Sequence, residues 1–363
     1  MSNIKKNKGS SKQKQSIHRV VRDYIKDAFC PIPVPHRSKK PKLPGWQKLR
    51  VTPADVEELF QDCRQNVGIL LGKPSAGLVD IDLDCDEAVQ LAPKFLPKTG
   101  AIFGRKSSRR SHWLYDATGA KTKKFRCADG MLVELRSTGT QTLFPPSVHP
   151  SGETILWNKN GNPAEVDADD LVENCGDLAA ACLLVQRWPA EGSRQDTALA
   201  LAGALLRAGW DVTSAEWFID IVAEAAGDDE VDDRIRALVD TKSKIDEGSP
   251  VTGLPRLGEL LGDETTRLVG KWLGLHAYDG SPVIEVRGGE LPQQVDQAEA
   301  ALLATPDHGV YQRAGHLVTP VRTLRMETID DVTREAGSLT LQPVTGSQLV
   351  EIFTKCASWC KRE

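Results

Sequence analysis

Several short stretches carry side chains whose types and spacing suit chemistry on a charged substrate. In Leu78-Val79-Asp80-Ile81-Asp82 apolar and acidic residues alternate. Strand side chains alternate between faces, so Asp80 and Asp82 share one face while Val79 and Ile81 bury on the other. Two carboxylates that close repel each other unless a cation lies between them. Hard oxygen donors of this kind favour Mg²⁺ or Mn²⁺. Taken alone, the pair also fits the solvent face of a strand, with Asp84 and Asp86 continuing the acidity. Met131-Leu132-Val133-Glu134-Leu135-Arg136 alternates as well and puts Glu134 and Arg136 on the polar face. Glu134 would complete a three-carboxylate metal site, with Arg136 beside it as charge balance or phosphate contact. The plainer reading of those two is a cross-strand ion pair.

Two loops carry complementary polar groups. Arg105-Lys106-Ser107-Ser108-Arg109-Arg110-Ser111-His112 offers four cations, three hydroxyls and a histidine just before an apolar run. Arginine and serine donors match phosphate oxygens, so the stretch suits a nucleotide's phosphates as well as it suits a basic surface hairpin. In Phe144-Pro145-Pro146-Ser147-Val148-His149-Pro150-Ser151-Gly152 two prolines stiffen the approach, and Ser147 and His149 are polar tips on alternate positions. A Lys/Pro-rich segment over 30–46 brings Lys39, Lys40 and Lys42 close to Trp46. That mixture can pair phosphate contacts with base stacking on single-stranded DNA, or place a core tryptophan among solvated lysines.

The elements that must position these residues follow from the pattern. Residues 17–29 fit an amphipathic helix, and the prolines of 30–46 predict a loop. Thr52-Pro53-Ala54-Asp55 has the form of an N-cap, N1 proline and capping-box acid. Strands are predicted over 66–72, 78–82, 101–103, 112–115, 131–136, 142–144 and 154–157, with a helix over 86–92 stopped by Pro93. Many strands with few helices predict an α+β domain with a mostly antiparallel sheet. After about Cys175 the chain turns Ala/Leu-rich. Ser193-x-x-Asp196 and Thr213-x-x-Glu216 have the form of capping boxes, and Gly209 and Gly227 sit where helices should end. An all-α domain is predicted over 176–275. Beyond it, 276–363 is a linker and small mixed segment, with strands over 310–320 and a helix over 347–361.

Composition bounds the function class. The 363 residues are 26% charged and 40% apolar, which excludes collagen-like, disulfide-scaffold and wholly disordered chains and leaves room for two or three cores. No apolar run is long enough to span a bilayer, and the basic, polar N-terminus lacks a secretory signal. A cytoplasmic protein without a membrane partner is expected. The eight cysteines form no CxxC pair, so neither a disulfide framework nor zinc is expected. Residues 1–50 hold fourteen Lys and Arg against two Asp, whereas 163–270 hold nine basic and twenty-three acidic residues. A basic head on an acidic body points to a polyanion partner. Residues 1–16 are expected to form a disordered basic tail.

Each stretch is weak alone, but their order is not. A Lys/Pro loop ending in Gly45-Trp46 leads to Val67-Gly68-Ile69 and then to Val79-Asp80-Ile81-Asp82. The basic loop into Ser111-His112 follows, then Val133-Glu134-Leu135-Arg136-Ser137, then the Pro-Pro-Ser-Val-His-Pro-Ser-Gly run over 145–152 with Trp157 after it. Over about residues 20–171 this resembles the bifunctional DNA primase/polymerase (prim-pol) domain of the archaeo-eukaryotic primase superfamily. The resemblance implies an α+β core, an RRM-like antiparallel sheet joined to a smaller α/β unit, over 17–175. It implies metal ligation by Asp80, Asp82 and Glu134, with His112 on the phosphates of the incoming nucleotide. Arg105, Ser111, Arg136, Ser147 and His149 would line the nucleotide pocket. Before the histidine the family usually has small, often Gly-rich residues, where this chain has Arg109-Arg110-Ser111. More faintly, 187–210 is similar to the helical segment that follows prim-pol domains in plasmid and phage replication proteins, and 310–318 to the lead-in of their ring-helicase module. No GxxxxGK[ST] motif occurs, so this stretch is not a helicase motor.

The implied activity is template-directed nucleotidyl transfer with two divalent ions, dNTP or NTP substrates and a single-stranded DNA template. It would serve replication of plasmid, phage or other mobile DNA, with a replicative helicase in cis or in trans. The helical domain would hold the initiating nucleotide or the template. Two competitors remain: a non-catalytic DNA-binding adaptor that recruits a helicase, and a metal-dependent nuclease on the same carboxylates. An adaptor has no need of Asp80, Asp82 and Glu134 together.

Overall fold

The computed structural model describes residues 8–275 without interruption. Beyond them it describes 283–286, 291–304, 309–313, 316–322, 327–329, 332–334, 339–346, 348–349, 352–353 and 358–361. The chain divides into two compact units, Met1–Leu275 and His276–Glu363.

The first unit is built on two sheets. The smaller has the order β1-β2-β8, from β1 (Cys30–Val34), β2 (Asn66–Leu70) and β8 (Gln141–Phe144), all antiparallel. β1 lies inside the segment predicted as a loop. Pro31 and Pro33 alternate along it, and a strand at the sheet edge tolerates residues that cannot donate to a ladder. The five residues of β1 are all buried. The larger sheet runs β6-β7-β3-β5-β4-β9, with β10 (Ala164–Glu165) pairing parallel to β5. Its strands are β3 (Leu78–Leu83), β4 (Ala101–Arg105), β5 (Ser108–Asp116), β6 (Lys123–Cys127), β7 (Gly130–Arg136) and β9 (Ile155–Asn160).

Alternation along these strands gives the large sheet two faces with different partners. Leu78, Ala101, Phe103 and Leu114 face the small sheet and share a core with Ile32, Val34, Val67, Ile69 and Phe144. Helix α1 (Lys8–Lys26) adds Ile17, Val21 and Tyr24 to that core, one stripe at helical spacing. Its backbone is helical from Lys8, where a disordered tail was predicted; lysine and glutamine are good helix formers. Residues 1–7 of that tail lie outside the described residues.

Val79, Ile81, Trp113, Tyr115, Val133 and Leu135 face the other way and join a second core with helices. These are α3 (Asp86–Phe95), α4 (Ala168–Arg187), α5 (Arg194–Arg207), α6 (Val212–Ala225), α7 (Val231–Asp246), α8 (Leu254–Leu261) and α9 (Asp263–Trp272). The one-turn helix α2 (Val56–Leu59) follows Asp55, whose carboxylate accepts from the Thr52 N–H at 2.8 Å, the reciprocal half of the predicted box. Helix α3 runs through Pro93 to Phe95 instead of stopping before it. Phe95 is buried and meets Trp217 and Phe218 edge-on at 5.0 and 5.9 Å, and this packing offsets the missing hydrogen bond. Helix α6 is capped by Asp211, whose carboxylate accepts from the Ser214 N–H, two residues before the predicted Thr213. Gly209 and Gly227 have φ of 86° and 73°, the left-handed values that end helices. The predicted boundary at 175/176 falls inside α4, whose Leu171, Leu178 and Leu184 belong to the same core as the back of the sheet. The helical region is thus continuous with the sheet, on the face opposite Phe103 and Leu114.

In the second unit β11 (Val283–Val286) pairs parallel with β17 (Ser358–Lys361). β12 (Tyr311–Arg313), β13 (His316–Arg322) and β16 (Leu339–Pro343) form an antiparallel sheet, and β14 (Glu327–Ile329) pairs with β15 (Val332–Arg334). Helix α10 (Leu291–Ala304) buries Ala298 and Ala301 near Phe353. The helix predicted over 347–361 is broken, since Ser358–Lys361 is a strand; 347, 350–351 and 354–357 lie outside the described residues. Among the described residues no helix is long and apolar enough to cross a membrane.

One buried amide ties the Pro-rich loop to the small sheet. Asn66 Nδ2 donates to the Val148 carbonyl at 2.8 Å and to the Ser38 carbonyl at 3.2 Å, and its Oδ1 accepts from the Val148 N–H at 2.8 Å. Asn66→Ala strands the partly buried Val148 N–H and carbonyl. It should cost roughly 2–3 kcal/mol in urea unfolding, and an unchanged midpoint would show that the loop is held elsewhere.

Candidate active site

The site is a consequence of register. On β3, Asp80 is opposite Leu114 of β5 and Arg136 of β7, and Asp82 is opposite His112 and Glu134. Phe103 of β4 is opposite His112. Glu134, Asp82, His112 and Phe103 therefore form one row across four strands, on the face toward the small sheet. The His112 ring stacks on Phe103 at 4.6 Å with 14° between planes. Phe103 is in turn packed on Phe144 and Trp157.

Arg136 organises the charges. Its Nη2 lies 2.8 Å from Asp80 Oδ2 and 2.9 Å from Asp82 Oδ2, and donates to Thr142 Oγ1 at 3.4 Å. His112 Nδ1 is 3.3 Å from Asp80 and 3.4 Å from Asp82. Asp80 is fully buried. Burial alone would push its carboxyl up, but Arg136 and His112 outweigh that and hold it below the usual carboxylate range. Burial likewise opposes the Arg136 charge, and the surrounding carboxylates of Asp80, Asp82 and Glu134 more than restore it.

Asp80 and Asp82 both meet Arg136 and His112, but Asp80 is fully buried, and the carboxylates that converge nearer the surface are a different three. Ligand oxygens of Asp82, Asp84 and Glu134 all lie within 4.8 Å of one another. Asp84 follows the end of β3, where its N–H still donates to the Leu132 carbonyl at 3.0 Å. Lost hydration first, then the charges of Asp82 and Glu134, push its carboxyl up to about 6, with Arg136 and His112 opposing. Three hard oxygen donors that repel each other in this way fit a divalent cation such as Mg²⁺ or Mn²⁺. Of the predicted Asp80, Asp82 and Glu134, the last two belong to this cluster, with Asp84 beside them, while Asp80 is buried next to Asp82 against Arg136 and His112.

The row opens into a cleft between the two sheets. Asp82, His112 and Arg136 line it, together with Arg105, Ser111 and His149. Lys39, Gln141 and Thr142 line it too, and of these only Lys39 is a predicted binding residue. The tight β4–β5 hairpin aims Arg105 inward and leaves Arg109 and Arg110 exposed. Gly104 permits that hairpin, since a Cβ there would fall 2.1 Å from the Ser108 carbonyl. Among the described residues, two buried atoms of the lining have no partner: the donor Arg136 Nε and the acceptor Gln141 Oε1. A ligand that offers both an acceptor and a donor would satisfy them.

Other predicted residues lie elsewhere. Ser147 is buried outside the cleft, where its hydroxyl accepts from the Val67 N–H at 2.8 Å and donates to the Val67 carbonyl at 3.2 Å; it anchors the loop that carries His149. Lys40 and Lys42 are exposed, and Trp46 packs partly buried against the inter-sheet core. Sequence reasoning passed over Asp84 as mere acidity, although its i+2 spacing from Asp82 was the available signal. Gln141 and Thr142 left no signal beyond strand alternation.

With this geometry in place, comparison gives the class. Residues 22–169 match the family described as bifunctional DNA primase/polymerase, N-terminal. The match spans both sheets, the carboxylate row and the cleft. No curated protein matches the chain. The chain carries a prim-pol domain, and a DNA primase/polymerase function with DNA and nucleotides as its reactants follows in general terms.

Removing Asp80 and relieving Asp84 should have opposite effects on stability. Asp80→Ala leaves the Arg136 charge buried beside a lost partner, and should cost about 3–5 kcal/mol. Asp84 has a folded pKa raised above its unfolded value, so its ionisation destabilises the fold above about pH 6. Asp84→Asn should therefore raise the Tm at pH 8 in metal-free buffer and give no gain near pH 4. Equal effects at both pH values would contradict the assigned repulsion.

Proposed function

We propose that the inter-sheet cleft carries out template-directed nucleotidyl transfer on a DNA template, making and extending primers for the replication of mobile DNA. The observation that supports this best is the register-locked row of Glu134, Asp82 and His112. This row would hold a hard cation beside a cleft that Arg105, Lys39 and His149 also line. A metal–triphosphate has the same polarity, a divalent ion at its reacting end and anionic oxygens along its length.

Asp82, Glu134 and Asp84 would hold Mg²⁺ or Mn²⁺. The chemistry supplied at these residues would be that of a Lewis acid, favouring ionisation of a 3′-hydroxyl and offsetting the charge of a leaving pyrophosphate. The protein's own part is positioning and charge. His112 is held flat by Phe103 and turned by Asp80 and Asp82, so that Nε2 is left to the ligand. Arg105, Ser111 and Lys39 supply donors to phosphate oxygens. Arg136 Nε is already dehydrated and meets an incoming acceptor without further desolvation cost. Lys40, Lys42 and the partly exposed Trp46 extend the basic rim and would engage single-stranded template.

The test is primer extension and de novo priming on single-stranded DNA with Mg²⁺ or Mn²⁺, wild type beside Asp82→Ala/Glu134→Ala. Incorporation should fall on the order of 10³-fold or more in the double variant. A wild type that binds DNA but incorporates nothing would turn the assignment to a helicase-recruiting adaptor. For the rim, charge reversal at Lys39, Lys40 and Lys42 should weaken template binding and flatten its salt dependence, by about 0.7 in log–log slope per lost contact. An unchanged slope would remove these lysines from the template path.

A further inference from the structure

Glu153 takes no part in the carboxylate row, yet it joins the two loops at the cationic end of the cleft. Its Oε1 accepts from the Ser107 N–H at 2.9 Å, and its Oε2 accepts from the Ser107 hydroxyl at 2.9 Å and the Ser151 hydroxyl at 3.1 Å. Arg105 Nε lies 3.4 Å from the same Oε2. These donors hold the Glu153 carboxyl below its ordinary range, the Ser107 hydroxyl and N–H foremost. Across the loop, Arg105 Nη1 is 3.3 Å from His149 Nε2, and His149 Nδ1 is 2.9 Å from Ser151 Oγ. The turn that returns Glu153 to this place needs Gly152, whose φ is 93°.

Proton logic orders the circuit. A guanidinium has no acceptor, so His149 Nε2 must accept from Arg105. A neutral imidazole then carries its proton on Nδ1 and donates it to Ser151 Oγ, and that hydroxyl keeps its own hydrogen for Glu153. Arg105 Nη1, His149 Nδ1 and Ser151 Oγ then each donate to an acceptor in turn. In the opposite tautomer Nε2–H would point at Arg105. One contact favours that alternative, the Ser151 N–H at 3.1 Å from Nδ1; a neutral amide weighs less than a guanidinium charge. Burial, then the charges of Lys39 and Arg105, hold the imidazole pKa below its ordinary value, in keeping with a neutral ring.

We propose that Glu153 and Ser151 are positioning residues for nucleotide binding: they fix His149 as its Nδ1–H tautomer and hold Arg105 against the cleft wall, where it receives the phosphates. The inference rests on the cleft's being a nucleotide site. Its structural half can be read without nucleotide. Long-range ¹H–¹⁵N spectra of the full chain, labelled at histidine and assigned with His149→Gln, should show Nδ1–H in wild type. A tautomer mixture is expected in Ser151→Ala and Glu153→Gln. Kinetically, Glu153→Gln should raise KM for dNTP about tenfold and Ser151→Ala several-fold, with kcat within about twofold, as for a lost charge-assisted bond made before chemistry. Glu153→Asp, which keeps the charge, should recover part of the loss. A wild-type proton on Nε2 overturns the circuit, and so does a KM unchanged in both variants, or a kcat that falls at constant KM. A wild type that shows Nδ1–H but neither binds nor incorporates dNTP overturns the nucleotide reading, and with it the role assigned here, while leaving the circuit itself in place.

Discussion

The contact between Arg136 and Asp80 is the one on which the rest depends. It joins β7 to β3 across a buried position, at a register that also sets Glu134 beside Asp82. Strand registers with period two are unforgiving, because a slip of one residue turns every side chain to the other face. A slip of β7 on β3 would bury Glu134 among Val79 and Ile81 and expose Leu135. Burying one carboxylate and one guanidinium together costs less than burying either alone, and strands both if either is lost. The pair thus specifies register more than it stabilises. Arg136 reaches Asp82 as well, at 2.9 Å, so one guanidinium balances both aspartates of β3, the buried Asp80 and the partly exposed Asp82.

The sheet that carries this row is packed on both faces for different reasons. Toward the small sheet, Phe103, Phe144 and Trp157 form a mutual aromatic contact with centroids 5.2–5.4 Å apart, and His112 lies on its edge as one more ring. A histidine stacked in this way has little rotational freedom, so the two aspartates need only choose which nitrogen they face. On the back, α4 and the helices after it close the second core. This bears on the role expected for the helical region, holding the initiating nucleotide or template. Its apolar side chains are spent on covering Ile81, Val133 and Leu135. Removing residues 176–363 would uncover that surface, so loss of priming after such a deletion would report on folding as much as on template binding.

What could be read from sequence divides along the range of the interaction. Alternation is local, and the strands bearing Asp80, Asp82, Glu134 and Arg136 were legible, as was their shared polar face. The nearness of Asp84 to Glu134 was not, because it turns on which residue of β7 falls opposite which residue of β3, a non-local fact. Pro31 and Pro33 argued against a strand and Pro93 argued for a helix stop. Both signals were overruled by burial, at a sheet edge in one case and beside Trp217 and Phe218 in the other. Ser147 was legible as special but not in kind, since a hydroxyl aimed at a ligand and one that pins a backbone look alike in sequence.

The same distinction between local and non-local bears on the cleft's polarity. Its anionic end comes from neighbouring strands of one sheet and is rigid by construction. Its cationic end comes from the β4–β5 hairpin, the proline-rich loop that runs into β9 beside Arg105, and the separate segment bearing Lys39. Cations repel one another, and although the β4–β9 ladder sets Arg105 opposite Ile155, it does nothing to offset the charges of Arg105 and Lys39. An anionic residue placed just outside the cleft answers that need without competing for ligand inside it. Glu153 occupies such a place, 29% exposed, on the far side of Arg105 from the row. A carboxylate there lowers the cost of assembling the cations, and a phosphate entering the cleft, as proposed, would meet donors already aligned.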